Sequence, residues 1–179
     1  MNNLKFCATL ALVLLAGCSS QDGGAKPGGG KAYVMGSPAA VGPLSYTVMH
    51  SSWKETIETG DGVTTPKHRF LVLDISIASG GSEEAGVPLL FLVDEKGNET
   101  MEEQKMLGLT GWLGLLRVIR PVETMSGTIV FDVPMANYKL KVTSGGDPEK
   151  EVEAFIDIPL RLEGQGPPGA DSVPPAANR

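Results

Sequence analysis

Apolar and polar residues alternate with a period of two through most of the middle of the chain. Leu44, Tyr46 and Val48 alternate with Ser45, Thr47 and Met49, and the pattern runs on toward Trp53. Successive side chains of a strand point to opposite faces, so this spacing predicts a half-buried strand. His68 to Ser79 gives the clearest alternation, with Leu71, Leu73, Ile75 and Ile77 on one face and Asp74 and Ser76 on the other. Phe70 and Val72 fall on the polar side of that segment, which predicts that its early half is covered on both faces. Val87 to Val93 is a continuous apolar run, as expected of a strand buried on both sides. Thr124 to Val133, Tyr138 to Val142 and Val152 to Ile158 alternate again.

Between these runs the chain is punctuated by turn formers. Glu58 to Pro66 holds Gly60, Asp61, Gly62 and Pro66 and is expected to be a loop; Gly80 to Gly86 is a polar turn; Asp94-Glu95-Lys96-Gly97-Asn98 has the composition of a hairpin loop. Thr100-Met101-Glu102-Glu103 has capping-box spacing, a hydroxyl followed three residues on by a carboxylate. A short helix over Met101 to Leu107, stopped by Gly108, therefore competes with a polar edge strand. Roughly seven strands in about 130 residues, separated by glycine and proline turns, predict an all-β fold, a β-sandwich of antiparallel strands.

The ends of the chain have a different composition. Lys5 precedes an apolar run from Phe6 to Leu15, too short for a permanent membrane span. Leu15-Ala16-Gly17-Cys18 follows, and the whole start resembles the signal and lipobox of bacterial lipoproteins. Small side chains beside the cut let extended backbone thread a processing site, and the Cys18 sulfur is the nucleophile that accepts a diacylglyceryl group. The resemblance implies cleavage between Gly17 and Cys18, fatty acyl groups such as palmitate on Cys18, and anchoring in a lipid bilayer, because two chains suffice for stable attachment. Ser19 rather than aspartate after the cysteine favours the outer membrane where a host has two.

Residues 18–31 form the lipidated cysteine and a linker in which Gly23, Gly24, Gly28, Gly29 and Gly30 surround Pro27. Its flexible residues would span about 20 Å on average. Residues 164–179 are a second tail rich in proline and glycine. The folded body is expected over residues 32–163.

Processing would leave 162 of the 179 residues and would shift the side-chain charge from −6 to −7 with the loss of Lys5. The chain has only two cysteines. Cys7 leaves with the signal and Cys18 is consumed by lipid, so no disulfide or cysteine metal site is available to the mature form. The acidic balance argues against nucleic acid as a partner, since phosphate backbones reward neutralising cations.

Four runs carry a family resemblance. They are Val41-Gly42-Pro43-Leu44-Ser45-Tyr46-Thr47-Val48, His68 to Ile77, Phe91 to Asn98, and Arg120-Pro121-Val122-Glu123-Thr124 through Pro134. Over about residues 33 to 160 the chain resembles bacterial extracytoplasmic lipoprotein domains of unknown function. Their sandwich is immunoglobulin-like, similar to that of a mycobacterial immunogenic secreted protein. The family usually has Pro-Gly where this chain has Pro121-Val122, and Asn where it has Ala78-Ser79-Gly80. The resemblance brings no catalytic residues.

Candidate chemistry is sparse. His50 and His68, with Glu55, Glu58 or Asp74, could supply zinc ligands, but no short ligand spacing exists, and two surface histidines are the simpler account. Glu83-Glu84, Asp94-Glu95 and Glu99 to Glu103 concentrate acid on loops. Held across a cleft such carboxylates serve glycoside hydrolysis; otherwise they are solvated turns. No nucleophile elbow, phosphate loop or dinucleotide fingerprint is present, and no cofactor is implied.

The segment with most promise is Leu107 to Ile119, too apolar for an ordinary loop and interrupted by Gly108, Gly111 and Gly114. One expectation is a contact for an envelope protein, with Trp112 as anchor among Leu113, Leu115 and Leu116 and with Arg117 and Arg120 at the rim. The other is that the segment covers the sandwich as core, with a strand over Leu115 to Ile119. A non-enzymatic binding or structural module on the envelope is the function these residues predict. The alternative is a lipoprotein that binds a small ligand or metal and serves a transporter or enzyme.

Overall fold

A computed structural model describes residues 30–146 and 149–161. The lipobox with Gly17 and Cys18, the linker up to residue 29 and the tail over residues 164–179 lie outside the described residues. Within them the chain forms thirteen strands and no helix, and so no helix long and apolar enough to cross a membrane. The strands are β1 (Lys31–Val34), β2 (Ala39–Val41), β3 (Leu44–Lys54), β4 (Ile57–Thr59), β5 (Gly62–Thr64), β6 (Arg69–Ser79), β7 (Ala85–Val87), β8 (Phe91–Val93), β9 (Glu99–Met101), β10 (Arg117–Ile119), β11 (Thr124–Val133), β12 (Tyr138–Thr143) and β13 (Glu153–Ile158).

Two sheets face each other, one ordered β11-β6-β3-β2 and one ordered β1-β13-β12-β8-β9, with β10-β7 and β4-β5 as separate ribbons. The all-β sandwich expected from the alternation is therefore present. Its core is the inward half of each alternating run: Leu44, Tyr46 and Val48 from β3, Leu71 to Ile77 from β6, Ile129 and Phe131 from β11, and Leu140, Val142, Ile156 and Ile158 from the facing sheet. A bulge at Met49 shifts the register of β3 against β6, so that Val48 opposes Ile75 but His50 opposes Asp74. Met49 and His50 therefore both face outward, and the inward phase resumes at Ser51 and Trp53.

Four expectations are corrected. The run Val87 to Val93 is two strands: Pro88 has no N–H to donate, and the chain changes partner there, β7 pairing with β10 and β8 with β12. Glu58 to Pro66 is largely the β4–β5 hairpin rather than a bare loop. The helix over Met101 to Leu107 does not form. Thr100 pairs with Leu92 in the edge strand β9, and the Glu103 amide donates to Val130 O, so non-local pairing takes the groups a capping box would have used. The pair β1–β13 is parallel, unlike the other strand pairs described.

That parallel pair fixes where the ends of the folded body lie. Lys31 stands opposite Ala154 and Val34 opposite Asp157, so the chain enters β1 at one end of the sandwich and leaves β13 at the other. At the leading end, Gly42 lies against Ser144, and the Tyr46 hydroxyl, its pKa raised by burial, donates to Thr143 O at 2.8 Å. The Asp94–Asn98 turn, the approach to β12 and Pro159 lie at the trailing end.

Candidate functional site

The early half of β6 is covered on both faces, as its sequence predicts. Phe70 and Val130, on the outer face of the four-stranded sheet, form a second small core with Ile57 and Met106, against which Val72, Leu109 and Trp112 pack. The cover is the β4–β5 hairpin together with the chain between β9 and β10. Gly60 N donates to Leu107 O at 2.7 Å, Thr128 N to Gly111 O at 2.7 Å and Leu113 N to Thr128 O at 3.1 Å. The first joins the hairpin to the covering segment, and the two at Thr128, with that from Glu103 to Val130, occupy the outer edge of β11, which would otherwise be open to pairing with another chain. Gly127 permits the close approach: a β-carbon there would stand 2.5 Å from Gly111 O and 2.7 Å from the Leu113 side chain.

The patch expected at Leu107 to Ile119 is thus divided. Trp112, Leu113 and Leu115 are half-buried, with Trp112 in the second core and Leu113 against the main one. Leu116 is 99% exposed and Leu107 75%. The strand expected over Leu115 to Ile119 is present as β10, shorter by two residues. Arg117 is not a rim residue. Its side chain is buried against the equally buried Glu102, with Nε donating to Gly114 O at 2.6 Å. The other Glu102 oxygen accepts the Leu90 amide at 2.8 Å. This pair was missed from sequence because its partners are fifteen residues apart and each residue type usually faces water. Arg120 does lie at the surface, 3.6 Å from Glu84.

Beyond β10 the chain turns at Pro121-Val122. Glu123 N donates to Arg120 O at 3.1 Å, and Val122 has φ +61°, so Val122 occupies the position that favours glycine and the turn survives the replacement. Leu116, Val118 and Val122 together present an apolar strip along and just beyond β10, with exposures of 99%, 58% and 90%.

The histidines do not converge. His50 is opposite Asp74, while His68 precedes β6 six positions away, roughly 20 Å along an extended strand. His68 instead lies beside Asp132, whose two oxygens take the Lys67 and His68 amides at 2.6 and 2.8 Å. Among the described residues no three His, Cys, Asp or Glu side chains gather as a metal site. Asp94, in the expected hairpin, has structural partners. Asp94 accepts the Asn98 side-chain amide at 2.7 Å and the Asn98 and Lys96 backbone amides at 2.8 Å each, and these bonds lower its pKa, the Asn98 side chain most. Glu103 is shifted upward, first by burial and then by Asp132. Lys141 bridges Glu99 at 2.9 Å and Glu153 at 3.3 Å, and the bond to Glu99 is the main cause of its raised pKa.

A cavity of about 300 Å³ opens at the trailing end between the last residues of β8 and β13 and the first of β12. Val93, Tyr138, Ile158 and Pro159 supply its apolar lining, and Asp94, Glu95, Asp157 and Lys139 its charged groups. Sequence reasoning did not assemble it, because the three contributing segments are far apart in the chain and meet only through strand order.

No curated protein matches the chain in sequence. Among solved structures, the chain is similar to the yjhA protein of Bacillus subtilis, with TM-score 0.53 and 13% identity over 70% of this chain and 98% of that one. It is also similar to ycdA of Bacillus subtilis subsp. subtilis strain 168, provisionally called a lipoprotein, with TM-score 0.51 and 17% identity over 67% of this chain but only 38% of that one. An uncharacterized β-sandwich protein of Clostridium difficile 630 aligns with TM-score 0.47 and 11% identity over 76% of this chain and 99% of that one. For yjhA and ycdA, at such identities, the likeness is one of fold. The family model that matches residues 33–151 spans the sandwich up to its last strand, β13, and the chain accordingly belongs to the DUF4352 family, a domain of unknown function.

Proposed function

We propose that this protein is a lipid-tethered, extracytoplasmic, non-enzymatic module that binds an envelope protein. The observation that carries the reading is Leu116, 99% exposed next to the buried Arg117–Glu102 pair. Continued by Val118 and Val122, it offers apolar surface that a partner would remove from water. The Leu15-Ala16-Gly17-Cys18 motif and the provisional naming of ycdA as a lipoprotein support the anchor at Cys18, through diacylglycerol and fatty acyl groups in the bilayer. The outer membrane is the site we favour in a host with two membranes, from Ser19.

Two measurements test this. Mass spectrometry of protein recovered from its host is expected to show an acylated amino-terminal Cys18; an unmodified terminus removes the tether. A photo-crosslinker placed at Leu116 in cells is expected to trap one defined envelope partner that a crosslinker at Lys96, at the far end, does not trap. Trp112→Ala, which loosens the second core that the Leu116 segment covers, is expected to weaken that product, and equal products from both positions would end the proposal.

The trailing-end cavity favours a second reading, a lipoprotein that binds a small ligand for a transporter or enzyme. The metal form of that reading loses its motive, because His50 and His68 stand apart along β6.

A further inference from the structure

The cavity at the trailing end combines two features that rarely suit the same ligand unless that ligand is amphipathic. Its lining from Val93, Tyr138, Ile158 and Pro159 is apolar, and its charged groups are three carboxylates, Asp94, Glu95 and Asp157, against the single ammonium of Lys139. Lys139 stands 3.6 Å from Asp157, in the row where Val93, Lys139 and Asp157 are register partners across three strands. Pairing those two leaves Asp94 and Glu95 in surplus. Asp94 is firmly ionised at neutral pH, being held by Asn98 and the turn amides. Its oxygens retain lone pairs beyond the three bonds they accept. A hydrated inorganic cation gains nothing from the apolar lining, and an anion is repelled by the surplus charge. The volume is at the small end of the range for ligand sites, too small for a folded partner.

We propose that this cavity binds a small organic cation, a primary ammonium carried on an apolar stem, with the stem against Tyr138, Ile158 and Pro159 and the ammonium at Asp94 and Glu95. This site is separate from the Leu116 strip and does not depend on it. It opens at the trailing end, opposite the end at which the chain enters β1.

The test uses the full chain in detergent micelles and three probes of one shape: phenethylamine, phenylacetate and 2-phenylethanol. Phenethylamine is expected to move the backbone amide resonances of Val93, Lys139 and Ile158 saturably. It is expected to bind about tenfold more tightly than phenylacetate, as two exposed charge contacts allow. Raising the salt is expected to shrink that preference. The double change Glu95→Gln with Asp157→Asn is expected to reduce it to about threefold or less while the melting temperature holds. Should that variant fold poorly, the salt series on the unaltered chain decides alone. Equal or tighter binding of phenylacetate, or no saturable shift with any probe, overturns the proposal. So does amine binding that appears only when residues 162–179 are removed, since the chain's own tail would then be the occupant.

Discussion

Val122 shows how one residue can be tolerated where its neighbours set the backbone. Pro121 fixes the first torsion of the turn and the Glu123–Arg120 bond closes it, leaving Val122 at φ +61° with its side chain 90% exposed. A β-branched residue in the left-handed region costs about 1–2 kcal/mol, and the added freedom of glycine in the unfolded chain returns about half of that. Val122→Gly is therefore expected to raise stability by about 0.5–1 kcal/mol, read from the urea midpoint. Were the exposed valine a partner contact, the same change would cost binding while it gained stability. Asp94 makes a prediction about pH. Its pKa is lowered in the fold, so its contribution to stability is present above the unfolded carboxyl value and is lost as pH falls through the lower folded value. Asp94→Ala is expected to destabilise the protein at neutral pH and to flatten the acid limb of its stability curve, measured by denaturant titration from neutral pH downward.

At the scale of elements, the chain from β9 to β10 is held by backbone bonds to β11 and by one buried ion pair. Glu102 receives Arg117 and the Leu90 amide, which ties the segment over the second core to the strand start at β8. Glu102→Ala leaves a buried guanidinium without its counterion and is expected to cost about 3–5 kcal/mol. Replacing both members, Glu102→Leu with Arg117→Met, is expected to recover most of that loss in equilibrium unfolding, because two charges leave the interior together. The remainder belongs to the Leu90 amide, which loses its acceptor, and to Gly114 O, which loses the Arg117 Nε donor. The buried pair also accounts for the missing helix. A capping box offers two local bonds at the surface, whereas Thr100 in β9 and Glu103 on Val130 gain sheet bonds and Glu102 meets a charge inside.

The whole molecule is a two-layer sandwich with a partial third layer on one outer face. The main core joins both sheets, while the second rests on four buried residues, Ile57, Phe70, Met106 and Val130. So small an apolar cluster is expected to open before the sandwich does. Hydrogen exchange should therefore show residues 57–64 and 103–116 exchanging together, faster than β3, β6, β12 and β13; equal protection throughout would mean that the layers open as one unit. The strand order also separates the surfaces by end. The Pro121-Val122 turn lies at the leading end, beside the start of β11 where Ser79 binds Glu123 O, and the cavity lies at the trailing end.

Alternation with period two was enough to specify β3, β6, β11, β12 and β13, because a strand with one buried face writes its inward residues at every second position. The double cover over Phe70 and Val72 was legible for the same reason, as apolar residues on a face that should be polar. Strands of three residues, such as β4, β7 and β9, are too short to carry a period, and Pro88 divides a run whose composition is uniform. The parallel pairing of β1 with β13, the burial of Arg117 on Glu102 and the meeting of Val93, Tyr138 and Pro159 around one cavity were decided by the tertiary structure alone. Each depends on which strands become neighbours, and that choice is made by the summed burial of both sheets, which no local window of residues contains.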